Sequence, residues 1–329
     1  MRGPGEAHLF NSVPDVHSSP EFTPSPAVAA VASSTTYSNR LVQSIVYKNF
    51  DHVELDDGRR VSILRSLGRG DVGHVYLGAL GLSYVVVKVI RRRLATGQAA
   101  IEEAINKEVQ ILRNLEHSHI MHYIHHGRRP PMGHEGNEPF IVLEYCGERN
   151  FRDTFHLYRS GLVPINETLR IAHSIADALV YLHDKGIGHF DVKPDNIMID
   201  SNGKAALGDF GQARHMDDAD FGTFRGAIAY APPESVTKGE RSLKNDVWGL
   251  GVTLYEVVCG GILPFAGNSQ QSMKELIVRA APPPLPERLR IPPPVVYVKW
   301  GSAMSAFSLC MSFALLADIF CAGFRSRHF

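Results

Sequence analysis

The chain has few cysteines and no surplus of charge of either sign. Its 329 residues hold four cysteines, Cys146, Cys259, Cys310 and Cys321. They are scattered and form no Cys-x-x-Cys pair, which argues against a zinc ribbon or a disulfide framework and fits a reducing compartment. Lys plus Arg and Asp plus Glu number 34 each. A protein that grips nucleic acid through its phosphates needs a basic excess, so no nucleic-acid partner is expected. The first residues, MRGPGEAHLF, lack the basic-then-apolar order of a secretory leader. What remains is ordinary globular material, 44% hydrophobic and 21% charged, enough to bury a core. A cytoplasmic, soluble protein is the expectation.

Residues 1–45 are rich in Pro, Ser, Ala and Thr and show no apolar period. Such a segment cannot bury enough surface to offset the entropy of ordering, so a disordered tail is expected. Ser19-Pro20, Thr23-Pro24 and Ser25-Pro26 suit a modifying enzyme that reads proline; equally, they are the common dipeptides of any polar tail.

From about residue 60 the pattern changes. RRVSILRSL, GHVYLGAL, YVVVKVI and PFIVLEYC are β-branched or aromatic runs bounded by Gly, Pro or charge, and read as strands. Between them, Ile101, Ile105, Val109 and Leu112 recur at spacings of 4, 4 and 3, the stripe of an amphipathic helix. After residue 165 helices dominate, with Ile171, Ile175, Leu179 and Leu182 and then Val247, Leu250, Leu254 and Val257 on single faces. A strand-rich part followed by a helical part predicts a two-lobed α+β fold with a ligand cleft between the lobes. The stretch 125–139, HHGRRPPMGHEGNEP, reads as an irregular loop. The histidines around it, from His117 to His134, match no metal-ligand spacing.

Chemistry gathers at a few ordered places. Gly68, Gly70, Gly73 and Val75 form G-x-G-x-x-G-x-V, in which backbone N–H groups can approach a polyphosphate. Glycine turns in hairpins look similar, but the next element is a strand, where a dinucleotide fold needs a helix. That strand carries Lys88 among apolar residues, either paired inside or facing outward on an alternating strand. Glu108 borders the buried stripe of the first helix and is the candidate partner; a solvated glutamate is the plain alternative. His189, Asp191, Lys193 and Asn196 share a loop, and GDFGQA at 208–213 follows with Asp209. Asp191 can accept a proton from a hydroxyl, and Asn196 and Asp209 supply the oxygens Mg²⁺ prefers.

In this order the motifs resemble the eukaryotic protein kinase family from about Leu67 to Phe265. The resemblance implies a β-rich N-lobe over 60–146, a mainly helical C-lobe over 147–290, and ATP and Mg²⁺ as the groups bound. It implies that Gly68, Gly70 and Gly73 cover the phosphates and that Lys88 holds them while paired with Glu108. Asp191 would be the catalytic base, Lys193 would neutralise the transferred group, and Asn196 and Asp209 would hold the metal. Leu143 would be the gatekeeper, with Glu144 to Cys146 presenting backbone to adenine. Leu67, Val75, Val86 and Met198 would line the base pocket. Leu112, Tyr123, His189 and Phe210 fall where the family stacks a regulatory spine. Lys193 within DVKPDN is the form specific to serine and threonine substrates.

The chain departs from the family at several points. Phe190 stands where the family has an arginine that pairs with an activation-loop phosphate. The segment 209–234 has Thr223 as its only Ser or Thr, so activity independent of Thr223 phosphorylation is expected. Val86 replaces a usual alanine, and Ala227 replaces a threonine whose hydroxyl bridges the catalytic Asp and Lys, which implies slower turnover. Gly249 replaces a frequent serine and is expected to matter little. Asp195 is a weak pointer to basic residues in the substrate. Beyond about residue 290 the resemblance stops: the last C-lobe helices and the arginine partner of Glu234 are not found. The stretch 291–329 is an atypical apolar tail. Within it, 302–324 approaches the length of a membrane span but carries Asp318, so an anchor is not favoured. An apolar substitute for missing helices and an altered or truncated end are the other readings.

The expected function is Mg²⁺-dependent transfer of the γ-phosphoryl group of ATP to a protein hydroxyl. The rival is a pseudokinase or nucleotide-binding scaffold with an unfinished C-lobe. Retention of Lys88, Glu108, Asp191, Asn196 and Asp209 together favours catalysis.

Overall fold

A computed structural model describes residues 52–69, 73–90, 98–129, 138–147, 149–158 and 163–279. The tails at 1–45 and 291–329, with the apolar stretch 302–324, and Gly70 lie outside the described residues.

Six antiparallel strands form the first sheet: β1 His52–Glu54, β2 Arg60–Arg69, β3 Gly73–Leu80, β4 Ser83–Ile90, β5 Tyr123–Arg129 and β6 Glu138–Glu144. Their spatial order is β1-β2-β3-β4-β6-β5. The β4 strand lies inside the sheet, with Lys88 opposite Val75 on β3 and Ile141 on β6. Side chains alternate across a strand, and here both faces are covered. Val85, Val87 and Val89 join Val53, Val61 and Phe140 in a core enclosed by the sheet's own strands. Val86 and Ile90 face a second core, shared with helix α1, Gln98–Leu112. Lys88 has the parity of Val86 and Ile90, so it projects toward the helix and away from solvent. Burial of both faces explains why YVVVKVI showed no alternation from which that direction could be read.

One expectation is corrected. The stretch from His125 to Arg129 is not loop but the body of β5, and Glu138 and Pro139 open β6. Polar residues are tolerated there because β5 is an edge strand, and a register shift between Tyr123 and His125 breaks the period. The ladder to β6 supplies the order that composition does not.

The second part is built on α2, Ile165–Asp184, and α4, Lys244–Val258, with the short α3, Pro233–Lys238, and α5, Gln270–Arg279, beside them. Ile171, Ile175, Leu179 and Leu182 are fully buried, each contributing about 1.5–3 kcal/mol through area removed from water. They meet Leu250, Leu254 and Val257 of α4 in the same core that reaches up to Val86 and α1. The two lobes therefore share one continuous apolar seam. Short strands β7 Arg149–Asn150, β8 Ile187–Gly188, β9 Ile197–Ile199, β10 Ala205–Leu207 and β11 Arg214–His215 set the loops along the cleft. No helix among the described residues is long and apolar enough to cross a membrane.

Candidate active site

Lys88 stands at the centre of the site. Its Nζ donates to Glu108 Oε1 and to Asp209 Oδ1, both at 2.8 Å. The Glu108 side chain is only 5% exposed, so an unpaired charge there would be costly. Burial works against the Lys88 charge, but Glu108 and then Asp209 outweigh it and raise the lysine above its ordinary value. Asp209 is held down to about 2, chiefly by Lys88. The chain brings Asp209 here by taking it through the left-handed region, at φ 55°, and its carboxylate accepts from the Gly211 amide at 3.4 Å.

Asp191, Lys193 and Asn196 form the second cluster. Lys193 Nζ donates to Asp191 Oδ2 at 2.7 Å. Asn196 Nδ2 donates to the Asp191 carbonyl at 2.8 Å and to its Oδ2 at 2.9 Å. The Gly208 amide donates to the Asn196 carbonyl at 2.8 Å, tying this loop to the segment that carries Asp209. His189 is fully buried beneath both. It accepts the Asp191 amide at Nδ1, 3.3 Å away, which assigns its proton to Nε2, directed at the Gly208 carbonyl at 2.9 Å. Its ring meets Phe210 edge-on at 4.8 Å. Leu112 and Phe210 belong to the shared core and Tyr123 packs against it, so the four spine residues do gather on one core.

Asp246, at the start of α4, anchors this loop, a role that motif reading did not assign to it. Its buried carboxylate accepts the amides of His189 at 2.8 Å and Phe190 at 2.6 Å, and His183 Nε2 lies 2.9 Å away. Phe190 needs such support because it sits at φ 63°, costly for a bulky residue. Glycine at 188 leaves room for its ring: a Cβ there would lie 2.1 Å from the Phe190 ring. Gly249 is not inconsequential as expected, since a Cβ on it would lie 2.9 Å from the Val192 carbonyl of the same loop.

Val86 and Leu143 are opposite one another on β4 and β6, and Leu67, Val75, Cys146 and Met198 pack half-buried against the core that contains them. These six residues therefore belong to, or pack against, the one core that runs between the lobes. Glu144 is exposed and its amide is taken by the His122 carbonyl at 2.8 Å. Gly68 sits at a register shift in β2, opposite Val75, and a side chain there would meet nothing within 4 Å. Gly73 is different: a Cβ on it would lie 1.9 Å from the Val89 carbonyl, so close approach of β3 to β4 demands glycine.

Asp195 is not free for a basic partner. Arg152 holds it with two nitrogens at 2.8 Å each and reaches Glu256 Oε1 at 2.6 Å. The Tyr230 hydroxyl completes the group, 2.6 Å from Glu256 Oε2 and 2.7 Å from Arg152. Glu234, whose arginine partner was not found, makes no ion pair with any described residue.

The sequence matches the protein kinase domain family over residues 61–295. The chain belongs to the protein kinase family. Among its relatives, the Aurora kinase of Schizosaccharomyces pombe is 31% identical over 209 residues, covering 63% of this chain and 56% of that protein. The Aurora kinase of Yarrowia lipolytica is 29% identical over 261 residues, covering 78% and 66%. A serine/threonine-protein kinase of Myxococcus xanthus, pkn2, is 31% identical over 241 residues, covering 70% and 28%. The chain thus spans about half to two thirds of the length of the Aurora kinases it matches. The α+β architecture, a curled antiparallel N-lobe sheet with a helical lobe, is that of a protein kinase domain.

Proposed function

We propose that the chain acts in the cytoplasm as a serine/threonine protein kinase, moving the γ-phosphoryl group of ATP to a protein hydroxyl with Mg²⁺. The observation that carries this reading is the pairing of Lys88 with both Glu108 and Asp209, 2.8 Å each, beside the Asp191–Lys193–Asn196 cluster. A buried lysine is costly unless paired, and here two carboxylates hold it where phosphate charge would be met. The free thiols Cys146 and Cys259 suit a reducing compartment.

ATP is the substrate. Leu67, Val75, Val86, Leu143 and Met198 would enclose its base, with the Glu144 carbonyl and the Cys146 amide holding the ring edge. Lys88 would meet the phosphates, covered by the glycines at 68, 70 and 73. The donor set fits Mg²⁺: Asn196 Oδ1 and the Asp209 carboxylate are hard oxygens, and the Asp209 side chain is 49% exposed to the cleft. Bound there, the metal would offset phosphate charge. The chain's own groups do the rest. Asp191 takes the proton of the incoming hydroxyl, and Lys193 beside it balances charge on the group in transfer. Supports that are already in place, such as Asp246 under the loop, spare reorganisation during the reaction.

The test is ATP-dependent phosphorylation of a protein substrate by the purified chain, alongside Asp191→Asn. Activity that depends on Mg²⁺ and falls at least about a hundredfold in the variant is expected. Equal signal from both proteins would exclude intrinsic catalysis and favour a nucleotide-binding scaffold.

A further inference from the structure

The segment between Asp209 and Glu234 carries three further aspartates, and they behave differently. The Asp217 side chain is 90% exposed, and Asp218 caps a turn by accepting the His215 amide at 3.0 Å. Asp220 turns inward. Its Oδ1 lies 3.5 Å from Lys107 Nζ, and its Oδ2 lies 3.3 Å from Arg214 Nε and 3.8 Å from Arg225. Its backbone carbonyl accepts from Arg241 at 3.1 Å. Four cationic side chains from three parts of the chain thus converge on a single residue.

The placement of these cations gives the cluster its meaning. Lys107 is the neighbour of Glu108 on α1, and its other partner is Glu103 on the same helix, 3.2 Å away. Arg214 lies on β11, five residues after Asp209, and its side chain is only 7% exposed. Helix α1 is therefore held at two adjacent positions: to β4 through Glu108 and Lys88, and to the activation segment through Lys107 and Asp220. Without the Asp220 carboxylate, Lys107, Arg214, Arg225 and Arg241 would repel one another, and Arg214 would be a buried charge facing other cations. Meanwhile Phe190, beside Asp191, contributes no charge to the cluster.

We propose that Asp220 is a positioning residue: a permanent carboxylate that holds α1 against the activation segment, and so keeps Glu108 on Lys88, with no phosphate added to the segment. The inference rests on the phosphotransfer reading above for its consequence in activity, though not for its structural part.

The experiment uses the full chain after phosphatase treatment, as the parent, Asp220→Asn and Asp220→Glu. Phosphotransfer rates, KM for ATP, thermal unfolding and hydrogen exchange of the α1 amides are measured on each. Asp220→Asn is expected to lower kcat/KM for ATP about tenfold and to speed α1 exchange by a similar factor, with Asp220→Glu recovering most of both. A folded Asp220→Asn with unchanged α1 exchange overturns the proposal, whether or not its activity falls. A parent with no phosphotransfer, but with α1 loosened in Asp220→Asn, supports the positioning role and removes the catalytic reading instead. Should Asp220→Asn not fold, Lys107→Met carries the same test, because it cuts the tie from the helix side without uncovering Arg214. Faster α1 exchange in Lys107→Met supports the role, and unchanged exchange overturns it.

Discussion

Arg241 lies over the ring of Phe190, its guanidinium carbon 4.3 Å from the ring centroid. Phe221 closes the neighbouring edge of the ring at 5.3 Å, nearly perpendicular. The residue before Asp191 is thus an aromatic platform for a cation instead of a cation itself. Burial, and then the like charges of Arg214 and Arg225, lower the Arg241 pKa, so the ring's attraction for its charge is worth more here than at an open surface.

Replacing Phe190 should therefore be expensive in stability. Phe190→Ala is expected to cost about 3 kcal/mol or more, from the lost ring and the cavity beside Gly188. Phe190→Arg should be less stable than Phe190→Leu, because it sets a second guanidinium against Arg241. Urea denaturation of the three variants measures this, and an arginine variant as stable as the parent would contradict it.

Thr223 is exposed, and its segment is already tied down by Asp220. Thr223→Ala should keep kcat/KM within about twofold of the parent. A large loss in this variant with nucleotide binding intact would show that its hydroxyl, or a phosphate on it, is required.

Arg152 fills the space between Asp195 and Glu256, and Glu256 is only 2% exposed. Removing the arginine in Arg152→Ala should destabilise the fold by about 2–3 kcal/mol, since a buried carboxylate loses its countercharge. It should also free Asp195. A peptide library should show no basic preference with the parent and a gain in basic preference with Arg152→Ala. Identical preferences in the two proteins would separate this cluster from substrate choice.

Acid should weaken the Lys88–Asp209 link in a defined direction. A carboxylate with a lower pKa folded than unfolded binds fewer protons in the native state, so falling pH favours the unfolded chain. Against an ordinary value of 3.8, Asp209 is held down to about 2. Its stabilisation is whole above about pH 4 and is lost as pH falls through about 2. Lys88→Met, which removes the cause of the shift, should show a shallower loss over that window in denaturation profiles.

Cys146 sits in the segment after β6, and its thiol is pushed up to about 12 by burial and then by Glu144. The thiolate is the nucleophile, so at neutral pH Cys146 should alkylate roughly a thousandfold more slowly than an unhindered thiol. Mass spectrometry after iodoacetamide treatment reads this directly, and labelling at the rate of free cysteine would refute it.

Much of the candidate site was legible because its residues are tied to chemistry that few side chains can supply. Asp191, Asn196 and Asp209 were found as oxygens in ordered loops, and the stripes of α1, α2 and α4 as apolar spacings. The orientation of Lys88 was not legible, because β4 is buried on both faces and carries no alternation. Strand β5 was missed because an edge strand tolerates histidine and arginine, and its order comes from pairing with β6. Asp246 stood in a recognised motif, yet its bonds to the loop 56 and 57 residues away left no local trace.

Sequence by itself determined the inventory: most of the long helices and strands, which groups can carry protons, phosphate or metal, and that an arginine is absent before Asp191. Only the tertiary structure decided which charges meet. Arg152 was given to Asp195, Arg241 to the ring of Phe190, and Lys107 to Asp220, partners separated by 43, 51 and 113 positions along the chain. Helical and strand periods are set by neighbours in sequence, whereas the energy of an ion pair depends on separation and burial in space. At long sequence separation, those are fixed only once the lobes have packed.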